Sequence, residues 1–197
     1  MYIRMALIIM FALLSGMASG EEVFSPNEIY GVLQQKINAV EAMAKHPGLI
    51  KAVKDQNARK MGLEEIQQID AEWKSTDTLT PFKESMQTCD AGEILKKKLE
   101  PNKTIYSEAI LTDNQGANVA AHPVTTDYWQ GDEEKWISSF NDGNGQVYIG
   151  PIEFDESTQA ETSQISVPIF DEEETIGVLV VGVKLSYIEA KILREKI

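Results

Sequence analysis

The residues best suited to chemistry lie together in one stretch, Thr126-Asp127-Tyr128-Trp129-Gln130-Gly131-Asp132-Glu133-Glu134-Lys135-Trp136, which sets two of the chain's three tryptophans beside ionisable side chains. An apolar aromatic wall carrying a few directed polar atoms is what a small-molecule pocket requires. On that basis Tyr128, Trp129, Trp136 and Tyr148 are expected as walls, with Asp127, Lys135 and Lys184 as polar contacts. If Lys184 faces the pocket, an anionic ligand such as a small carboxylate gains a charged partner. Each residue also has an ordinary reading. Trp136 and Phe140, four apart on one helix face, can be core; Lys135 can be solvated; Lys184 can be an edge-strand charge; Asp127 can cap the loop.

Other chemistries lack their parts. There is no Gly-x-Ser-x-Gly elbow and no paired-histidine metal motif, and His46 and His122 stand far from the only thiol, Cys89. Beside Ile94 and Leu95, that cysteine reads as a small core residue, and alone it forms no intramolecular disulfide. Asp132-Glu133-Glu134 and Asp171-Glu172-Glu173-Glu174 are consecutive carboxylates, which diverge instead of converging on an ion. Asp142-Gly143-Asn144-Gly145-Gln146 comes nearer to a calcium loop, but Val147 occupies the glycine position and the distal glutamate is missing. All three read as turns; neither a metal nor a cofactor is expected. The net charge of −13 repels phosphate backbones and anionic membranes, so nucleic acid is not expected as a partner.

These residues have to be positioned by recognisable elements. Arg4, an apolar run over residues 5–14 and the small residues Ala18 and Gly20 form a secretory leader, residues 1–20, with cleavage after Gly20 or, as the near alternative, Ala18. Residues 21–197 then suit a single domain. Its helical part spans 26–100. Ser25, Pro26 and Glu28 open a long amphipathic helix over 26–45, which His46-Pro47-Gly48 interrupts. Shorter helices follow through Val53, over 63–74 and after Thr80-Pro81, the last of uncertain continuity at Asp90 and Gly92. After Pro101 the period becomes two, and the sheet part covers 104–185. Strands are predicted over 105–112, 117–122, 146–155, 161–170 and 175–185, with a helix over 132–140 capped by Asp132, and a closing helix over 186–197. The strand over 175–185 is apolar on both faces and belongs mid-sheet. One cover is the N-terminal helix, and the other is the segment from His122 to Phe140.

Ala42-Met43-Ala44-Lys45-His46-Pro47-Gly48-Leu49 is similar to the helix break of Cache (PDC-type) sensor domains, and Leu111-Thr112-Asp113-Asn114-Gln115-Gly116 to their first hairpin. Val167-Pro168-Ile169 and Ile176-Gly177-Val178-Leu179-Val180-Val181-Gly182-Val183 resemble their last two strands. The resemblance covers nearly all of the chain after the leader. It implies an α+β fold: a PAS-like five-stranded antiparallel sheet, a long N-terminal helix, and a loop and helix insertion covering the pocket face. Function follows the same analogy: a non-catalytic periplasmic sensor of a small molecule. In amino-acid-binding members an arginine two residues before a tryptophan, a tyrosine and two aspartates hold the ligand. Trp136 is retained and Asp155 falls at the first aspartate, joining the candidate contacts, whereas Glu134, Glu153 and Lys184 replace the arginine, the tyrosine and the late aspartate. That speaks against an α-amino-acid ligand. Such domains usually form the outer part of receptors; with the sequence stopping at Ile197, a free-standing member is expected, one that signals to a membrane sensor kinase or chemoreceptor and pairs as a weak homodimer. The competing readings are a ligand-free interaction module docking by its acidic surface, and an exported hydrolase.

Overall fold

A computed structural model describes residues 24–197 of the chain. The expected leader, residues 1–20, lies outside the described residues. Ser25 starts the first helix through its side chain. Its hydroxyl accepts the Glu28 N–H at 3.3 Å and the Glu28 carboxylate accepts the Ser25 N–H at 2.8 Å, a closed capping box with Pro26 in the first turn. Helix α1, Pro26–Ala44, buries Val32, Leu33, Val40, Met43 and Ala44. Pro47 ends it by disfavouring helical backbone at His46, and His46 then acts as a cap: its Nδ1 accepts the Gly48 N–H at 3.1 Å and opens α2, Pro47–Asn57.

Helix α3, Leu63–Lys74, follows Gly62, and Thr80 caps α4, Pro81–Thr88. The question of continuity at Asp90 and Gly92 resolves into a junction. Cys89 takes extended backbone and its Sγ accepts the Gly92 N–H at 3.4 Å, starting α5, Asp90–Leu99. A side chain at 92 would lie 2.4 Å from the Met86 carbonyl oxygen, so this turn requires glycine.

Five antiparallel strands follow: β1 Tyr106–Thr112, β2 Asn118–His122, β3 Tyr148–Asp155, β4 Ala160–Asp171 and β5 Glu174–Lys184, in the spatial order β2-β1-β5-β4-β3. The two-faced apolar strand β5 is central, as its pattern demands. Leu179, Val181 and Val183 join Ala109, Leu111, Ile165, Val167 and Ile169 in the main core, under α1, α2 and α5. Helix α7, Leu185–Glu195, continues directly from β5 and packs on α1, with Ile188 and Ile192 buried. On the opposite face Val178, Val180 and Ile110 meet Trp136 and Phe140 of α6, Glu134–Phe140.

Two features depart from the sequence expectation. Helix α6 begins at Glu134, after Glu133, and Asp132 is not its cap. The preceding residues are committed elsewhere: Gln130 N–H donates to the Gly116 carbonyl at 2.8 Å, Trp129 bridges to Ala117, and Glu133 N–H turns back to Gln130 O at 3.1 Å. The insertion therefore enters as an extra strand-like run beside the β1–β2 turn and becomes helical only past it. Second, Ile66, Trp73, Met86, Ala117 and Tyr128 form a separate apolar cluster joining the insertion to α3 and α4.

Candidate ligand-binding site

The sheet face turned toward α6 changes character along its length. Where Trp136 and Phe140 lie on it, it is apolar. Further along, the register sets Gln164 opposite Gly182, and Thr162 between Glu153 and Lys184. That polar half lies beneath the residues that lead into α6. A cleft of about 210 Å³ opens there, with Thr126, Glu133 and Lys135 on one side and Glu153, Asp155, Thr162 and Gln164 on the other. It adjoins a second hollow of about 330 Å³ that shares Glu133, Lys135, Glu153 and Gln164 and adds Glu134 and Tyr148.

Behind the Gln164 wall lies a buried acid that lines neither hollow itself. Glu108 is 2% exposed, and its one hydrogen bond among the described residues is from Gln164 Nε2 to Oε1 at 2.7 Å. Burial, then the charge of Asp155, push its carboxyl up to about 7 from the usual 4.5, against the pull of Gln164 and Lys135. Gly182 makes the room: a Cβ there would lie 2.2 Å from Ser107 Oγ and 3.0 Å from Glu108 Cγ. The Ser107 hydroxyl is itself buried without a hydrogen-bond partner. The walls are acidic too. Lys135, their one ammonium, lies 2.8 Å from Glu133 Oε2, while Asp155 is held by the Ser157 N–H at 2.9 Å and by the hydroxyls of Ser157 and Thr158 at 2.7 and 2.6 Å.

Of the residues expected from sequence, Lys135, Tyr148 and Asp155 stand in these walls. Asp127 is next to them: Gln130 Nε2 donates to its Oδ1 at 2.5 Å, and burial with the charge of Glu133 raises its carboxyl above the ordinary range. The remaining aromatics are packed away. Tyr128 is buried, its ring 5.8 Å from Trp73 and 5.5 Å from Phe82, and burial pushes its phenol up to about 12. Trp129 donates Nε1–H to the Gln115 carbonyl at 2.8 Å, and Asp70 Oδ1 accepts both the Tyr128 and Trp129 N–H groups, at 2.9 and 3.1 Å. Trp136 stacks on Phe140 at 4.7 Å and donates to Asp113 O at 3.3 Å. These three serve to fasten the insertion. Lys184 shares the sheet face beside Thr162 but stands in neither wall, where it precedes α7.

Glu108, Thr162 and Gln164 were missed by sequence reasoning. One signal was available: Glu108 is the only charge in the otherwise uncharged run Tyr106–Thr112, and a charge inside an inner strand is costly unless something answers it. The two histidines are occupied elsewhere, His46 in its cap and His122 at 3.4 Å from Glu100. Among the described residues no group of three or more His, Cys, Asp or Glu side chains could hold a metal, and the acidic segments at 142 and 172 are turns with positive φ. Two further hollows, about 310 Å³ beside Phe170 and about 350 Å³ over Cys89, carry no buried charge.

No family model matches the chain, and no curated protein matches it. Among solved structures it is similar to the sensor domain of DcuS from E. coli, with a TM-score of 0.53 and 16% identity, over 84% of this chain and 98% of that one. The V. cholerae histidine kinase DctB sensor domain gives a TM-score of 0.43 at 15% identity, over 83% of this chain and 53% of the other. The isoleucine-bound sensory domain of the Campylobacter jejuni chemoreceptor Tlp3 gives 0.43 at 14%, over 86% and 68%. The chain thus spans about half the length of the DctB domain. At such identities the likeness is one of fold: the α+β, PAS-like five-stranded antiparallel arrangement of Cache (PDC-type) sensor domains.

Proposed function

We propose that this chain, carrying a sensor-domain fold, is an exported sensory domain that binds a small molecule in the cleft between the start of α6 and strands β3 and β4, and performs no reaction on it. The observation that carries this reading is Glu108, a buried carboxylate with a single hydrogen bond beside a cleft. Burying a charge costs several kcal/mol unless partners answer it, and a fold gains no stability by retaining such a group on an inner strand. A ligand that completes its hydrogen bonding supplies the reason. The neighbouring Ser107 hydroxyl, also unpartnered, supports the same conclusion.

The geometry also suggests how occupancy becomes a signal. A ligand touching both walls ties Glu133 and Lys135 of the insertion to Glu153 and Gln164 of the sheet. Helix α6 rests on Val178 and Val180 of β5, and β5 runs straight into α7 and thence to α1. A shift of α6 toward the sheet is therefore felt at the α1–α7 pair, where a membrane kinase or chemoreceptor partner reads it. The leader of residues 1–20 directs the protein to the periplasm.

Thermal unfolding of the purified protein against a broad panel of small molecules tests the proposal, since a ligand bound to the native state raises Tm by mass action. A saturable rise that vanishes on Gln164→Ala supports it. A folded protein stabilised by no member of the panel refutes it and leaves the interaction-module reading. N-terminal sequencing of the periplasmic form, expected to begin at Glu21 or Ser19, tests the export step.

A further inference from the structure

The charge of the cleft selects among ligands, an inference that rests on the cleft being a ligand site. Glu133, Glu134, Glu153, Asp155 and Glu156 line the two adjoining hollows, against one ammonium, Lys135, whose Nζ is already 2.8 Å from Glu133. An anion entering there meets its own sign, and Lys184, the residue that suggested a carboxylate ligand, stands in neither wall. A bare metal ion lacks converging ligands among the described residues.

What the site offers instead is an excess of carboxylates over its single ammonium. Glu108 Oε2 has no hydrogen bond among the described residues, and Glu108 is more than nine-tenths buried. The Ser107 hydroxyl beside it is also unpartnered, and Gln164 links Glu108 to the cleft wall. Tyr148 and Phe154 add aromatic surface on which an alkyl stem or an ammonium can rest. We propose that the cleft takes a small organic cation, an alkylammonium, with the wall carboxylates Glu153 and Asp155 accepting its N–H donors and Glu108, behind Gln164, adding its charge. An ammonium has three donors and no acceptor, which matches walls in which five carboxylates stand against one lysine.

Calorimetric titration of the purified protein with 1,4-diaminobutane, ethanolamine and choline, and with butanedioate, the dianion of the same chain length as the diamine, separates the alternatives. The expected result is saturable binding of 1,4-diaminobutane or ethanolamine and none of butanedioate; choline, whose nitrogen carries no N–H, should bind more weakly, and binding of choline alone overturns the inference. Glu108→Gln, checked for folding by circular dichroism, should lower cation affinity at least tenfold. Glu153→Gln, an exposed wall position that leaves the fold untouched, should lower it severalfold, and Lys184→Gln should leave it unchanged. Uptake of butanedioate without any cation overturns the inference while leaving the ligand-binding reading standing, as does binding of only neutral compounds from the wider panel. Cation binding that survives both glutamate substitutions puts the cation elsewhere and also overturns it. A folded protein that binds nothing overturns both readings.

Discussion

Replacing Glu108 with glutamine should make the ligand-free protein more stable at neutral pH, the opposite of what most buried substitutions do. The Glu108 carboxyl is raised from 4.5 to about 7 by burial and by Asp155. Because the folded state holds the proton more tightly than the unfolded chain, the associated stability is fully present below about 4.5 and is lost as pH rises through about 7. At about 1.4 kcal/mol per tenfold change in proton affinity, the loss approaches about 3 kcal/mol by pH 8. Glutamine matches the protonated acid in shape, keeps an acceptor for Gln164 and does not ionise, so it escapes the loss. Urea unfolding of both proteins at pH 4.5 and pH 8 is the assay. The variant and the parent should agree at the lower pH; at the higher, the variant should gain about 3 kcal/mol, or roughly 6 to 12 °C in Tm for a chain of this size. Asp113 and Asp127 are raised too, with the same sign, so the difference between the two proteins isolates Glu108. A difference that does not change with pH, or a variant less stable at pH 8, refutes the reasoning.

Gly182→Ala forces a methyl to within 2.2 Å of Ser107 Oγ and 3.0 Å of Glu108 Cγ, so it should cost about 1 to 3 kcal/mol by overpacking and also disturb Glu108 behind the cleft wall, read by unfolding and by ligand titration. Trp136→Ala uncovers Ile110, Val178 and Val180 and should cost about 3 kcal/mol in urea unfolding; a loss below about 1 kcal/mol would mean that α6 is not their cover. Asp70→Ala leaves the Tyr128 and Trp129 N–H groups without their acceptor, and the expected cost is about 2 kcal/mol, with faster amide exchange at those two positions than anywhere on β5.

Much of the architecture was legible because its causes are local. The capping box at Ser25 and Glu28, the break at Pro47 and the two-sided apolar run of β5 each state their structure within a few residues. The start of α6 was not local: Gln130 and Trp129 are held by Gly116 and Ala117, more than ten positions earlier, and this delays the helix past Asp132. The site divides in the same way. From the stretch 126–136 only Thr126, Glu133, Glu134 and Lys135 line the hollows; an aromatic side chain reads alike in sequence whether it faces a ligand or a core. What decides Tyr128 is Trp73 and Phe82, brought from two helices that precede the sheet. Glu108 acquires meaning only from Gln164, 56 positions later, across β5. Lys184 lies on the expected face, beside Thr162, but beyond the walls that the register sets.

The junction at Cys89 bears on how this protein can be instrumented. Its sulfur is the acceptor for the Gly92 N–H and sits half-buried near the Met86 and Val119 carbonyl oxygens. A maleimide dye attached there would wedge apart two helices and report on its own damage. A fluorophore meant to watch ligand arrival belongs on an exposed position just outside the walls such as Glu161, after Cys89 has been changed to serine, whose hydroxyl can serve the same backbone amide.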